Sequence, residues 1–353
     1  PCIENVKNDF SISKAEENAL TSAESPIVIL NPKKTLENLA KDSIAPNLNQ
    51  FGVMLPSSAL LSLLMDEVNI PLIATSGNIH GSPIISSEAD AIKKLSEVAT
   101  YFLHNNLEIS FPQDDSVVRF TGEQQILLRR SRGLAPNYLN SSFARNERAL
   151  AMGAHLKSTF GFTPNSHTYV SPYFGNLDNY DVLNRYKESI TKYTALFETE
   201  PEIVLIDSHL NYESSILGME LAEKWNCKLV KIQHHKAHFA SVLGEHHLME
   251  SEEKILGIVW DGTGLGDDNA IWGGEFFTFE NQKIQRLTHF EYVDWIASDK
   301  MAKEPRLSLL SMLPKSARQE VQPKFTKTQW NVYNKMLENN HLKTSSAGRL
   351  FDA

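Results

Sequence analysis

Short β-rich runs alternate with helical runs over residues 26–133, and this alternation limits the fold of the first part of the chain more than any other feature. The β-rich runs are PIVIL, FGVML, PLIATSG, TYFLHN, SVVRF and QILLRRS, and the helical runs are TLENLAKD, SALLSLLMDEV and EADAIKKLSEVA. Runs that alternate in this way pack as layers of helices against a sheet. We therefore predict an α/β fold for this region.

A second region has a different pattern. Three β-like runs (ALAMGA, KSTFGFT and HTYVSPYFG) follow one another and predict a β-meander. Apolar residues then recur at i+3 and i+4 spacing over 180–197, which predicts a helix with one buried face. Strands IVLID, KLVKIQ, ILGIVWDG, AIWGGEFFTF and QRLTHFEYV follow, with helices at ESSILGMELAEKW and about 234–245. This order predicts a mixed sheet with helices.

The segment between the two regions marks a domain boundary. The stretch GLAPNYLNSSFARNE (133–147) combines Gly, Pro, Asn and Ser without any periodicity, so we place a linker near residues 134–146. The chain has 353 residues, and single hydrophobic cores stop growing at roughly 250–300 residues. We predict two α/β domains, one over residues 1–140 and one over residues 147–353.

Composition excludes several classes of protein. The formal net charge of −9 argues against a broad nucleic-acid-binding face. The apolar runs are shorter than the ~20 residues that a membrane span needs, and the first residues lack the pattern of a secretory signal, so we expect a cytoplasmic protein without a membrane partner. Cys2 and Cys227 are too few for a disulfide framework or an all-cysteine zinc site.

The run QHHKAHFA contains the strongest candidate for a metal site. On a helix, His234 and His238 lie one turn apart on the same face, which allows two imidazoles to bind one metal ion. His235 is expected to point elsewhere. A second interpretation is that these histidines pair with carboxylates at the surface or in the core.

A carboxylate next to a glycine-rich segment is the second candidate. Asp261 is expected to end the apolar strand ILGIVW and to enter DGTGLG, where Gly262, Thr263 and Gly264 let the backbone approach a phosphate or a metal-bound anion. Many phosphotransfer folds hold a cation with such a residue. The alternative interpretation is a hairpin turn in which Asp and Gly supply ordinary turn chemistry.

The first region offers polar and basic groups at strand ends. LIATSGN provides Thr75, Ser76 and Asn78, and QDDSVVRF provides Asp115 and Ser116, although both segments also fit simple capped turns. In LLRRSRG, the side chains of Arg130 and Arg132 share one face if the segment is a strand, as a polyphosphate pocket requires. A charged edge strand that prevents aggregation is the other interpretation.

These motifs, in this order, resemble those of one family. FGVMLPSSALLSLLM, PLIATSGNIHGSPI, DDSVVRF and LLRRSRGLAP are similar to the YrdC-like domain of the HypF carbamoyltransferases, which mature [NiFe] hydrogenases. ALAMGAHLKSTFGF, DSHLNYESS, QHHKAHFASV, WDGTGLGDDNAIWGGE, KEPRLSLL and SSAGRLFDA are similar to the TsaD-like domain of the same family. The resemblance implies a YrdC-like α/β domain followed by an incomplete actin-like (ASKHA, TsaD-like) domain.

The resemblance also implies a reaction. Members of the family use carbamoyl phosphate and ATP with Mg to make carbamoyl-adenylate, and then transfer the carbamoyl group to the C-terminal cysteine of the partner HypE. One divalent metal, Fe or Zn, is implied at the TsaD-like site. The family members are longer at both ends, so this chain is expected to be an incomplete catalytic fragment.

Roles for individual residues follow from the resemblance. Asp261 and Lys157 would be catalytic, with Lys157 in a first phosphate loop (AMGAHLKST) and with Gly262, Thr263 and Gly264 in a second. His234 and His238 would be metal ligands. Taken alone, Lys157 also fits a solvated lysine at a strand end. The pocket for ATP and carbamoyl-adenylate would be formed by Thr75, Ser76, Asn78, Asp115, Ser116, Arg130 and Arg132.

The sequence departs from the family pattern at three positions. Leu107 and Pro112 stand where arginines are usual, and Asn176 stands where an acidic residue is usual. A catalytically degenerate nucleotide-binding homologue is therefore one alternative. An enzyme that makes threonylcarbamoyl-adenosine on tRNA is another, since it shares both domain types, although the acidic charge disfavours a tRNA substrate.

Overall fold

The computed structural model describes residues 2–33, 39–139 and 147–353 of the chain. The chain divides into two compact units. The first unit comprises Pro1–Val204 and Glu220–Lys228, and the second comprises Leu205–Met219 and Leu229–Ala353. The predicted linker extends into residues 140–146, which lie outside the described residues. The domain boundaries given above therefore remain a prediction.

A five-stranded sheet forms the first part of the first unit. Its order is β1-β2-β4-β5, with β3 paired to β2, and β2 and β4 run parallel while the other pairs are antiparallel. The strands are β1 (Phe10–Ser11), β2 (Ile27–Pro32), β3 (Phe51–Val53), β4 (Val117–Thr121) and β5 (Gln124–Arg129). The accompanying helices are α1 (Ile3–Asp9), α2 (Lys14–Leu20), α3 (Lys41–Ile44), α4 (Ala59–Val68) and α5 (Glu88–Leu95).

The core of this sheet follows from alternation along β2. Val28 and Leu30 are fully buried, and they pack with Leu20 of α2 and Val118 of β4. Side chains two residues apart lie on the same face of a strand, so β2 supplies the centre of the core. The helix α4 differs, because none of its residues is buried and Leu63 is 68% exposed.

Two predicted strands are not formed. Residues 71–77 (PLIATSG) and 100–105 (TYFLHN) are irregular. Where the first of these segments ends, the amide of Ile85 donates to the carbonyl of Gly77 (2.9 Å), and the side chain of the next residue, Asn78, donates to the carbonyl of Ser82 (2.8 Å). Such local hydrogen bonds compete with a strand ladder. Part of the predicted helix TLENLAKD, residues 35–38, lies outside the described residues.

The predicted meander and the helix after it are confirmed. The strands β6 (Ala149–Ala151), β7 (Gly161–Thr163) and β8 (Tyr169–Val170) pair antiparallel, and α6 spans Tyr180–Leu196. The helix buries Tyr186 and Tyr193. The Tyr186 hydroxyl donates to the carbonyl of Met152, which follows β6, at 2.5 Å. This contact fastens the helix to the segment that contains the predicted first phosphate loop.

That segment requires a glycine at position 153. Gly153 has φ +65°, and a Cβ added there would lie 2.3 Å from the carbonyl oxygen of Thr159. We expect Gly153→Ala to lower the free energy of unfolding by more than about 2 kcal/mol, since a clash with backbone adds to the conformational cost. The matched control is Gly122→Ala, because Gly122 has φ +60° with nothing within 4 Å. Urea denaturation of both variants separates the cost of the clash from the conformational cost. Equal losses in the free energy of unfolding would contradict the clash at position 153.

The second unit is built on a mixed sheet of order β11-β12-β15-β14, with β13 paired to β12. Its strands are β11 (Ile255–Leu265), β12 (Ile271–Glu280), β13 (Lys283–His289), β14 (Val293–Asp294) and β15 (Lys343–Thr344). Earlier in the chain come β9 (Ile203–Asp207), α7 (Glu213–Lys224) and β10 (Lys228–Ile232), whose residues divide between the two units, and α8 (His234–Glu245) of the second unit. The later helices are α9 (Lys300–Lys303), α10 (Pro305–Met312), a 3₁₀ helix (Arg318–Lys324), α11 (Lys327–Glu338) and α12 (Ala347–Asp352).

Helix α8 packs on the sheet through its apolar face. Phe239 and Leu243 of α8 are buried with Val259 of β11 and Phe277 of β12 in one cluster. A Cβ at Gly257 would lie 2.5 Å from the Phe239 ring, so β11 needs a glycine under the helix. This packing brings the first turn of α8 close to the middle of β11.

The predicted strands β9 and β10 and the predicted helices α7 and α8 are confirmed, and one predicted strand boundary is wrong. Asp261 does not end its strand, since β11 continues through the glycine-rich segment to Leu265. Across the described ranges, no helix combines the length and the apolarity needed to cross a membrane.

Candidate metal and nucleotide sites

Two histidines meet at the start of α8. The helix begins at His234, and the side chain of Gln233 caps it by accepting a hydrogen bond from the amide of Lys236 (2.9 Å). His234 and His238 are one turn apart, and their Nε2 atoms lie 3.2 Å from each other. The helical spacing in the sequence therefore brings the two imidazoles together, as predicted.

Asp261 completes a three-donor cluster. Its Oδ2 lies 3.4 Å from the Nε2 of His234 and 3.6 Å from the Nε2 of His238. Ligands of a tetrahedral zinc ion lie about 3.3 Å from one another, as bonds of about 2.0–2.1 Å require. Two imidazole nitrogens and one carboxylate oxygen are also a donor set that zinc or iron accepts. The three side chains therefore fit one divalent metal ion.

An irregularity in β11 places Asp261. Trp260 pairs with Gly274 and Gly264 pairs with Trp272, so three residues of β11 lie opposite Gly273 alone. A Cβ at Gly273 would lie 2.7 Å from the carbonyl oxygen of Asp261, so only glycine leaves room for this path. Extra residues of this kind bend a strand and redirect its side chains.

A buried carboxylate contacts the cluster from behind. Asp207 ends β9 and is 7% exposed, and its Oδ2 lies 2.8 Å from the Nδ1 of His234. Its Oδ1 accepts a hydrogen bond from the amide of His209 (2.8 Å). Asp207 was not among the residues singled out in the sequence, although it ends an apolar strand in the same way that Asp261 was expected to do.

His235 does not point away from the cluster, as the sequence had suggested. Its ring is fully buried near Trp272, and its Nε2 lies 3.6 Å from the Oδ2 of Asp261. The Gln233 amide nitrogen donates to the carbonyl of Leu265 (3.0 Å) and lies 3.1 Å from the Nδ1 of His235. Because that nitrogen is a donor, the Nδ1 of His235 accepts, and its proton is on the Nε2 that faces Asp261.

The charges of the cluster follow from these contacts. Hydrogen bonds to Asp207 and Asp261 raise the pKa of His234 to about 9. Burial opposes ionisation of Asp261, but hydrogen bonds from His234 and from the Gly262 amide outweigh it and lower the pKa to about 2. Burial lowers the pKa of His235 to about 4 and also lowers the pKa of His238. A metal ion that binds here must displace one proton, that of His234.

The residues of the predicted second phosphate loop have other contacts as well. The Gly262 amide donates to the Oδ1 of Asp261 (2.6 Å), and its carbonyl accepts from the Ser346 hydroxyl (2.6 Å). A Cβ at Gly264 would lie 2.5 Å from the His235 ring, so this glycine makes room for a histidine. Thr263 is exposed. Phosphate binding by these residues remains a prediction.

Several predicted nucleotide-binding residues contact one another in the first unit. The guanidinium of Arg132 donates to the Oδ1 of Asp115 (2.7 and 3.0 Å) and to the carbonyls of Glu24 and Ser25. The fully buried Ser116 donates to the carbonyl of Arg132 (2.8 Å) and accepts from the Ser131 amide. These contacts stabilise the end of the sheet, and nucleotide binding by them stays a prediction.

The remaining residues of that predicted pocket lie outside strands. Arg130 follows the last residue of β5, so Arg130 and Arg132 do not share a strand face. The guanidinium of Arg130 is half-buried and donates to the carbonyl of Leu134 (3.0 Å). Ser76 donates to the Oδ1 of Asp114 (3.0 Å). Thr75 is exposed, and the side chain of Asn78 donates to the carbonyl of Ser82, as described above.

Lys157 and Asn176 contact each other in the first unit. Lys157 has φ +52°, and its amide donates to the side-chain oxygen of Asn176 (3.0 Å). An acidic residue at position 176 would accept the same hydrogen bond, so the departure at Asn176 preserves this contact. Leu107 is exposed and Pro112 is half-buried.

Comparison with known protein families defines the class of the fold. The model for the "HypF Kae1-like domain" matches residues 144–245, and the one for the "Carbamoyltransferase, Kae1-like Domain, second subdomain" matches residues 257–353. The Sua5/YciO/YrdC model, described as "Telomere recombination", matches residues 2–131. The chain is thus a YrdC-like domain followed by Kae1-like subdomains, and the predicted fold class is confirmed.

Individual relatives agree with this assignment. The chain is 35% identical to carbamoyltransferase HypF of Synechocystis over 86% of its own length, and 34% identical to a probable carbamoyltransferase HypF of Methanocaldococcus jannaschii over the same share. It aligns over 99% of its length with a crystal structure of full-length HypF in the phosphate- and nucleotide-bound form (TM-score 0.85, 33% identity). A crystal structure of HypF from T. kodakarensis gives a TM-score of 0.84 at 32% identity.

The chain belongs to the HypF carbamoyltransferase family, as its motifs had indicated. It spans less than half of the length of these relatives, with 39% of the Synechocystis and M. jannaschii proteins and 46% and 47% of the two crystallised chains.

Proposed function

We propose that this chain is part of an ATP-dependent carbamoyltransferase of [NiFe] hydrogenase maturation. The enzyme would use carbamoyl phosphate and ATP with Mg to form carbamoyl-adenylate, and would transfer the carbamoyl group to the C-terminal cysteine thiol of HypE. The reaction would take place in the cytoplasm. The family membership supports the type of reaction, and the two candidate sites supply groups that suit its two steps.

The observation that carries this proposal is the convergence of His234, His238 and Asp261. Their three donor atoms lie within 4.8 Å of one another in a domain whose family is named for carbamoyl transfer. A divalent metal ion, Fe or Zn, held by these side chains would polarise a phosphate or carbonyl oxygen. Asp261 stays ionised to well below neutral pH, so it is ready to bind a cation.

Adenylation would take place in the YrdC-like domain. Charge accumulates on the transferring phosphoryl oxygens in such a reaction, and guanidinium groups and backbone amides stabilise it in place. Arg130 suits this task because its guanidinium is half-buried. Burial lowers the pKa of this group, since water solvates its positive charge only in part, and such a charge interacts strongly with a bound phosphoryl group. The carbonyl of Leu134 orients the group.

We expect Arg130→Ala to reduce carbamoyl-phosphate-dependent release of pyrophosphate from ATP by about 100-fold or more. The measurement uses the full-length protein that contains this chain, with carbamoyl phosphate and ATP supplied. Arg119→Ala is the matched control, since Arg119 lies on β4 of the same sheet and is exposed. Release should be unchanged in this control.

Two outcomes would contradict the proposal. Absence of pyrophosphate release from a folded wild-type protein would exclude the adenylation reaction. Release that persists in Arg130→Ala would exclude this arginine as the group that stabilises the transferring phosphoryl.

A degenerate nucleotide-binding homologue is the second candidate, and two observations favour it. Leu107 and Pro112 replace arginines that the family pattern leads one to expect, and the guanidinium of Arg132 is occupied by Asp115 and two carbonyls. Such a protein would bind ATP without releasing pyrophosphate, so the same assay distinguishes the two candidates.

A further inference from the structure

The buried carboxylate behind the metal cluster has no role in the function proposed so far. Asp207 is 7% exposed, and both of its oxygens accept hydrogen bonds, one from the His209 amide and one from the ring of His234. A carboxylate accepts and never donates when it is ionised. The proton in its contact with His234 is therefore on the Nδ1 of the imidazole.

This proton decides which ring nitrogen is available to a metal. A neutral imidazole carries one proton, so a proton held on Nδ1 leaves the Nε2 lone pair free. The Nε2 of His234 is the atom that faces His238 (3.2 Å) and Asp261 (3.4 Å). The hydrogen bond to the Asp207 carboxylate thus directs the Nε2 lone pair of His234 into the cluster.

We propose that Asp207 is a positioning residue that fixes the tautomer and the ring orientation of His234 for metal binding. The inference rests on the metal site of the proposed function and extends it to a residue that does not touch the metal. It is carried by the 2.8 Å contact, by the burial of the carboxylate and by the second hydrogen bond, which prevents the carboxylate from rotating.

Substitution by asparagine separates this role from a purely structural one. The side chain introduced by Asp207→Asn has one acceptor and one donor group in place of two acceptors. If its oxygen keeps the His209 amide, its NH₂ group faces Nδ1 of His234 and forces the proton onto Nε2. If the side chain turns over, its NH₂ group faces the buried His209 amide, and two donors oppose each other.

Alanine at the same position has a different effect. It removes the hydrogen bond but leaves both tautomers of His234 accessible. A purely structural role predicts that zinc affinity falls less in the isosteric variant Asp207→Asn than in Asp207→Ala. A positioning role predicts the reverse order or an equal loss.

The experiment measures zinc affinity of the full-length protein by calorimetry for the wild type, Asp207→Asn, Asp207→Ala and a matched control. The control is Ser215→Ala, because the fully buried Ser215 hydroxyl donates to the backbone carbonyl of Asp207 (3.3 Å) and leaves the carboxylate intact. We expect zinc binding to be about 10- to 100-fold weaker in Asp207→Asn than in the wild type. The loss in Asp207→Asn should equal or exceed the loss in Asp207→Ala, and the control should bind zinc nearly as well as the wild type.

A second readout requires no metal. In protein labelled with ¹⁵N-histidine, recorded above the pKa of His234 given earlier, the imidazole spectrum should show an Nδ1–H ring in the wild type and an Nε2–H ring in Asp207→Asn. Unchanged zinc affinity and tautomer in Asp207→Asn would overturn the inference and leave the metal site standing. A wild type that binds no zinc would instead refute the metal site, while the metal-free spectrum would still decide the tautomer.

Discussion

Zinc affinity is expected to fall about 100-fold or more when His238 is replaced by alanine. His238 supplies one of three converging donors, and structural zinc sites with four ligands gain about 10–16 kcal/mol in total. Each ligand therefore contributes roughly 3 kcal/mol, which corresponds to about two orders of magnitude in affinity. Calorimetric titration of the full-length protein with zinc measures the change.

His238 suits this test because its side chain is 53% exposed, so its loss should affect folding little. The matched control is His246→Ala, which removes an exposed histidine at the other end of α8. Wild-type affinity in His238→Ala, or an equal loss in His246→Ala, would mean that the cluster at the start of α8 does not bind the metal.

The largest expected loss of stability comes from Glu275→Ala. Glu275 lies on β12 and is fully buried. Its carboxylate accepts hydrogen bonds from the amides of Gly273 and Gly274, from the Ser345 hydroxyl and from the Nε of Arg286 (2.6 Å). Removing the carboxylate leaves the Nε of Arg286 and the three other donors without their acceptor, while the other guanidinium nitrogens keep their contacts with Asp268 and Tyr292. We expect a loss of about 3–5 kcal/mol in the free energy of unfolding, measured by urea denaturation.

Glu280→Ala is the matched control for that substitution. Glu280 ends the same strand, its side chain is 51% exposed, and it lies 3.5 Å from the exposed Lys254. A surface ion pair of this kind contributes less than about 1 kcal/mol. Similar losses in the two variants would contradict the role of Glu275 as the centre of a buried network.

The sequence predicts those elements whose pattern is local and regular. The helix α6 was located because apolar residues recur at helical spacing, and β9 and β10 correspond to the short runs IVLID and KLVKIQ. Residues 71–77 have an equally apolar run, but they form no strand, and the local hydrogen bonds at the end of the run, at Gly77 and Asn78, belong to an irregular segment. Periodicity alone does not report which neighbour a run will pair with, so such segments are mispredicted.

The candidate site could be predicted only where its residues lie close together in the sequence. His234 and His238 follow from the spacing within one helix, whereas Asp207 lies 27 residues before His234 and meets it only through tertiary packing. The orientation of His235 was predicted wrongly because helix geometry places its side chain on a different face from that of His234. The sequence does not reveal that β11 passes beneath that face and brings Asp261 close to the His235 ring. The contacts of Asp261 and Gly264 with these rings come from β11, which no local pattern relates to α8.

The path of β11 at Asp261 has a consequence for sequence drift in this family. The strand is in register with β12 on both sides of the three residues that face Gly273. A single insertion or deletion among those residues would either change the size of this irregularity or slip the pairing beyond it, and either change would displace Gly264 from its position beneath the His235 ring. A substitution of the exposed Thr263 is compatible with this geometry, but a change in the number of residues in this stretch is not. Homologues should therefore vary in residue type along this stretch while conserving the number of residues between Trp260 and Gly264.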